Sequence, residues 1–205
     1  ATVFGALARA ADDLRANMAI AALVARLGAA GRALLGRLPA YDTPVPVEGV
    51  RKLALDRPDA AAGLPRLVDA SLVEQYTDPE RQTTVYQLSP LVAGWLAGQG
   101  EAVAPAVLAA AAAYQQWVYD YERRTLDQAI VLHRALDRAG ARAAADRLAL
   151  RAIVPPLNRA GQYRTLLDEW LPALRAAADD RTRAAGQDWT AGRLMALGEY
   201  AAALP

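Results

Sequence analysis

The side chains able to do acid–base, nucleophilic or metal chemistry in this sequence are few, and they do not converge. His133 is the only histidine and cysteine is absent, so there is no second imidazole or thiolate to complete a transition-metal site. With Arg134 and Asp137 beside it, the imidazole reads as a packing or solvated group. Three pairs of adjacent carboxylates, Asp12-Asp13, Asp168-Glu169 and Asp179-Asp180, diverge by about 100° on a helix and do not meet on one substrate. Ser71 and Ser89 have no histidine placed to activate them and read as turn and cap residues. These residues imply no catalytic group, no metal and no cofactor.

What remains is surface recognition. Tyr114, Trp117, Tyr121, Tyr163, Trp170 and Trp189 recur at helical spacing, and such aromatics either fill the seams between helices or line a concave groove. They form the candidate interaction surface. The arginines Arg123, Arg124, Arg134, Arg138, Arg142, Arg147 and Arg151 are interleaved with Asp120, Glu122, Asp127, Asp137 and Asp146, which reads as a solvated face laced by pairs four residues apart.

Composition narrows the partners. The chain has 205 residues, 54% of them hydrophobic and many of these alanine, with 23 basic against 22 acidic residues. That balance creates no field to gather nucleic acid or anionic lipid. The longest apolar stretch, Ala102 to Ala113, is interrupted by Pro105 and is too short to cross a bilayer. No membrane partner is expected, and the lack of cysteine fits a reducing, cytoplasmic setting. The chain begins at Ala1 and its last helix begins only at Tyr200, so the sequence reads as an excerpt of a longer protein.

Three stretches differ in their patterning. From Thr2 to Gly28, the apolar residues Leu7, Leu14, Met18, Ala21, Ala22 and Val24 recur as an amphipathic helix requires; a short helix over about Arg32 to Leu38 follows before Pro39. Between Ala40 and Gly100, helices are expected over Val47 to Ala54 and Ala60 to Ala70. Leu72–Tyr76 and Thr84–Leu88 alternate as strands around a polar tip, Thr77–Thr83. Ser89-Pro90 reads as an N-cap and first helical residue. From Val103 onward the pattern is helical, with Gly140 a helix stop. Leu157–Tyr163 matches Leu194–Tyr200, which lies 37 residues later: in each, a helix ends, glycine turns and an aromatic opens the next helix. Trp170 and Leu174 should face Leu150, Ile153 and Leu157. Pro155-Pro156 removes two backbone donors, so a kink or break is expected there.

The order of the middle segment is helix, helix, helix, strand, wing, strand, helix. With Leu34–Leu38, Pro44-Val45-Pro46, Leu67–Glu74 and Tyr86–Val92, it resembles the winged-helix segment of STAND-type (NACHT- or NB-ARC-like) signalling ATPases. The stretch after Val103 resembles tetratricopeptide repeats, whose period is about 34 residues. No P-loop occurs, so ATP hydrolysis does not carry over. The resemblance implies a winged helix that helps to hold an inactive arrangement and repeats that receive the activating ligand.

The expected organisation is an N-terminal helical segment (1–28), a winged-helix-like domain (29–100) and tetratricopeptide-like repeats (101–205), in a mainly α fold with one β-hairpin. The expected role is non-catalytic: a regulatory and protein-interaction part of a STAND-like protein. Its partners would be a protein or peptide on the repeats and, within one molecule, a module N-terminal to the segment. The alternatives are a winged-helix DNA-binding regulator and a non-catalytic part of a larger enzyme. Against DNA, residues 29–100 hold seven basic and eight acidic side chains, and the third helix offers one arginine, two aspartates and a proline, short of the phosphate contacts that duplex binding needs.

Overall fold

The structure, a computed structural model, describes the backbone of residues 3–203 and the side chains of residues 14–199 and 201–203. The expectations placed on Leu7, Asp12-Asp13 and the Tyr200 side chain fall outside these described side chains. The chain is mainly helical with one small antiparallel sheet, and it divides into two compact units, residues 1–111 and 112–205.

The first unit opens with α1 (Val3–Arg26), a single long helix. Its covered face differs from the one periodicity selects. Ile20 and Leu27, the residue just past its end, are buried, while Leu14 and Met18 are 61% and 66% exposed. An alanine-rich helix carries apolar stripes on several faces, and packing chooses among them. Next come α2 (Ala29–Leu35) and a 3-10 turn, Leu38–Ala40, that Pro39 starts. The short strand β1 (Val45–Pro46) leads into α3 (Val47–Lys52).

The helix expected over Ala60 to Ala70 is divided into α4 (Pro58–Ala61) and α5 (Leu64–Asp69). Pro65 lacks the N–H that a continuous helix would use and sits where that loss costs nothing, in the first turn of α5. Then follow β2 (Val73–Asp78), β3 (Thr83–Leu88) and α6 (Pro90–Gly98).

The sheet order is β1-β3-β2, with Val73 opposite Leu88 and Asp78 opposite Thr83. The third strand is a correction to the single hairpin, since two residues are too few to show alternation. The hairpin tip is also tighter than the expected Thr77–Thr83. It closes over Pro79–Gln82 because Asp78 Oδ1 accepts the backbone N–H groups of Glu80 (2.8 Å) and Arg81 (3.1 Å), which hold that carboxyl below its ordinary range. Gln82 takes the left-handed conformation at φ +50°. Ser89 occupies the N-cap of α6, but its hydroxyl caps nothing; Pro90 sits at the first helical position as expected.

Leu34, Leu35, Val50, Leu53, Leu67, Leu72 and Val73 are almost fully buried at the centre of this unit, each such side chain contributing roughly 1.5–3 kcal/mol of transfer free energy. Arg37 clips the periphery: its guanidinium pairs bidentately with Asp56 and donates to the Leu53 carbonyl oxygen. That pairing holds the Asp56 carboxyl down to about 2.

The second unit is built from helices alone among the described residues. It begins within α7 (Pro105–Tyr121), which starts in the first unit, and continues with α8 (Leu126–Arg138), opened by a capping box in which Thr125 accepts the Gln128 N–H and Gln128 reaches back to Thr125. The next helix joins α9 (Arg142–Leu148), a π-helical turn over Ala149–Ile153 and α10 (Val154–Arg159) without interruption. The following one joins α11 (Tyr163–Thr165), a second π-helical turn over Leu166–Trp170 and α12 (Leu171–Arg175). Last come α13 (Asp180–Ala196), N-capped by Asp179, and α14 (Tyr200–Ala203).

Of the kink or break expected at Pro155-Pro156, the break does not occur: the helix runs through both prolines by way of the π-helical turn. A proline ring clashes with the carbonyl four residues back and supplies no N–H; widening the preceding turn to the π pattern relieves the clash and keeps the helix running. The same solution precedes Pro172.

Gly140, Gly161 and Gly198 share one turn. Each is left-handed, at φ +75°, +70° and +77°. In each, the N–H after the glycine bonds five residues back: Ala141 to Leu136, Gln162 to Leu157, and Glu199 to Leu194, all at 2.9–3.0 Å. This is the Schellman termination, which glycine favours because it has no Cβ to oppose positive φ. Tyr163 and Tyr200 open the following helices, as the internal match predicts. The core beneath gathers Leu132, Ile153, Leu157, Leu166, Leu171 and Leu174, with Trp170 and Trp189 packed against it.

Candidate interaction surface

The six aromatics expected to form one surface are distributed over three arrangements. Tyr114, Trp117 and Tyr121 share one face of α7, because steps of three and four residues on a helix return to nearly the same direction. Their rings form a ladder, Tyr114 stacked on Trp117 (centroids 6.0 Å apart, planes 27° apart) and Trp117 on Tyr121 (5.7 Å, 35°). Tyr114 anchors it at 5% exposure, whereas Trp117 and Tyr121 are 53% and 77% exposed. The two open rings are thus backed by a buried one, which restricts their motion on the helix. At the helix end, Arg124 reaches back to within 3.8 Å of Asp120 and lies over the Tyr119 ring.

Tyr163 and Trp189 are committed elsewhere. The Arg193 guanidinium lies 5.2 Å from the Tyr163 ring centre and 5.3 Å from that of Trp189, so the two rings clamp a cation. Arg193 Nε is buried without a hydrogen-bond partner, which leaves the ring faces as its compensation. Trp189 and Arg193 stand four residues apart, a spacing that signals the pair, but only folding brings Tyr163 to its other side. Arg164 and Glu199 pair next to this clamp, tying the start of α11 to the turn after α13.

Trp170 packs edge-on against His133, with ring centroids 5.0 Å apart and planes at 72°. The imidazole is half-buried, and its loss of water pushes the pKa below the ordinary 6.5; Asp137 and Asp146 oppose the shift, and Arg142 and Arg134 add to it.

Asp146, missed as a special residue in the sequence, is the one carboxylate buried to 2% among the described side chains. Arg142 Nε lies 3.1 Å from its Oδ1, yet that oxygen receives no well-directed hydrogen bond. Arg142 also donates to Asp137 at 2.6 Å. The spacing of four between Arg142 and Asp146 carried this pair, though not its burial.

His133 makes the second unit sensitive to acid. Its folded pKa lies below the unfolded value, so on acidification the unfolded chain binds the proton first. Stability therefore falls as pH drops through about 6.5 towards the folded pKa and is steady below that. As the chain has no other histidine, unfolding free energies measured between about pH 7 and 5 should decline in the wild type and stay nearly flat in His133→Phe. Equal slopes would show that the imidazole is not desolvated.

Ser71 takes the left-handed conformation at φ +55°, fitting a turn residue. Among the described residues, no group of three or more His, Asp or Glu side chains is placed to hold a metal, and no helix is long and apolar enough to cross a membrane. Comparison with known proteins returns no match: no family model fits the chain, and no curated protein or solved structure is similar to it.

Proposed function

We propose that this chain is a non-catalytic, polypeptide-binding part of a STAND-like regulatory protein, with a winged-helix module in its first unit and tetratricopeptide-like repeats in its second. The exposed Trp117–Tyr121 pair on α7 carries the reading: two large aromatic rings held open to solvent on a rigid helix are the kind of group that supplies most of the energy of a protein–protein contact. The repeated Schellman turn supports the second half of it, because identical terminations set successive helices side by side. The element order α2, β1, α3, α4–α5, β2, β3, α6 supports the first. On this reading the partners are a protein or peptide segment on the repeats and, within the same molecule, a module preceding the first unit.

The winged-helix reading brings a DNA-binding regulator as its rival, and the cations argue against it. Arg37 is spent on Asp56 and the Leu53 carbonyl, and Arg32 on the Leu27 carbonyl. On α5, Arg66 is the one cation and Asp69 the one carboxylate, so the helix carries no net charge. A titration of duplex DNA at several salt concentrations separates the two: the proposal expects no binding at physiological salt. Sub-micromolar affinity that falls steeply with salt would transfer the function to nucleic acid.

A further inference from the structure

The first unit holds a cleft of about 450 Å³ whose floor is apolar, from Val50, Leu64 and Val68, and whose rim is polar, from Arg51, Asp69 and Gln75. Arg51 and Asp69 are exposed, and neither forms an ion pair with another described residue. Gln75 belongs to β2, and Tyr86, opposite it on β3, closes the same wall.

β2 itself is unusual for an edge. It lies outermost in the order β1-β3-β2, and its register with β3 runs from Val73 to Asp78 without a bulge. It contains no proline or lysine, and Glu74, Gln75, Tyr76 and Thr77 are all exposed. Beyond the ladder with β3, no described backbone group bonds to Glu74–Thr77. Proteins ordinarily blunt such an edge, because its free N–H and C=O groups recruit another strand.

We propose that the β2 edge and the adjoining cleft form one docking site for an extended polypeptide segment, which adds to the sheet as a fourth strand and places an apolar side chain in the cleft between an acidic and a basic residue of its own. The backbone edge supplies hydrogen bonds of no sequence preference, and the cleft supplies the selection. In a strand, residues two apart point the same way at about 7 Å spacing, so an apolar residue with a carboxylate two positions to one side and a cation two positions to the other presents all three to the apolar floor, Arg51 and Asp69. The site lies within the first unit and is independent of the aromatic ladder on α7, so Trp117→Ala with Tyr121→Ala leaves it intact.

The test uses the whole isotope-labelled chain and two end-blocked heptapeptides. Each has valine at the centre, glutamate and lysine two residues to either side in one order or the other, and threonine elsewhere. One order should bind with Kd below about 1 mM and shift the signals of Val47–Arg51, Leu64–Asp69 and Glu74–Thr77. Affinity should fall at least tenfold when the peptide backbone is N-methylated and when Ala62→Trp fills the cleft. Arg51→Glu should weaken the peptide by a similar factor. Ala62 and Arg51 are exposed, so both variants should keep the fold, which unchanged signals from the second unit and from Leu34 and Leu35 verify. Failure of both orders to bind, shifts on another surface, or binding indifferent to N-methylation or to Ala62→Trp would each overturn the proposal.

Discussion

Gly186→Ala is expected to destabilise the second unit by about 2–3 kcal/mol, although alanine is the better helix former. A Cβ at Gly186 would stand 2.8 Å from the Leu174 carbonyl carbon and 2.9 Å from the Arg175 nitrogen. Both are backbone atoms of α12, so relief requires the two helices to move apart, uncovering Leu171 and Leu174, which are 1% exposed. The approach is close because α13 turns its small residues Thr182, Gly186 and Thr190 inward, and Thr190 Oγ1 satisfies itself by donating to the Gly186 carbonyl at 2.7 Å.

Gly192 lies on the same helix with nothing within 4 Å of its would-be Cβ. Gly192→Ala should therefore stabilise by about 0.5–1 kcal/mol, the ordinary gain from removing a helical glycine. Opposite signs from the same substitution two turns apart isolate the crossing as the cause. Hydrogen exchange on α12 and α13 reads both; equal effects would mean that the helices do not meet at Gly186.

The corresponding site in the first unit is Gly63, where alanine should cost about 2–3 kcal/mol. Its Cβ would lie 2.7 Å from Gly31 Cα and 2.8 Å from the Gly31 nitrogen, where the turn between α4 and α5 rests directly on α2. Gly63 has φ −75° and ψ −17°, a conformation that alanine adopts freely, so the whole loss is steric. Forcing α2 away would loosen Leu34 and Leu35, which are 0% and 2% exposed. Amide protection in α2 and α5 should drop together, while that of α8 should not change because it belongs to the other compact unit. Gly94 in α6 has open space around it, and Gly94→Ala should be neutral or mildly stabilising. Wild-type protection in Gly63→Ala would contradict the close contact.

These two glycines also mark where sequence reading stops. Gly161 and Gly198 were legible because glycine followed by a turn and an aromatic is a local pattern with a local cause, the left-handed Schellman cap. Gly63 and Gly186 carry no such pattern: a glycine within a helix reads as a fault of propensity, and its reason, Gly31 or Leu174, lies far off in sequence. The aromatics divide in the same way. Spacing placed Tyr114, Trp117 and Tyr121 on one face, but whether a face is covered depends on neighbours that spacing cannot reveal. Thus Trp117 is open, whereas Tyr163 and Trp189 close on Arg193. The α1 stripe through Leu14 and Met18 failed for that reason. The break expected at Pro155-Pro156 is absent for another: a missing donor ends a helix only if the helix has no way to widen, and the two π-helical turns provide one.

The open aromatic pair on α7 is the proposed point at which the chain recognises polypeptide. Its most direct test is to select a random peptide library against the whole chain and measure the recovered peptides on the wild type and on Trp117→Ala with Tyr121→Ala. Both side chains are more than half exposed, so the variant should keep its fold and report contact alone. The recovered peptides should lose at least tenfold in affinity for the variant, or about 1.4 kcal/mol and more. Peptides that bind both proteins equally, or a selection that enriches nothing, would contradict the proposal.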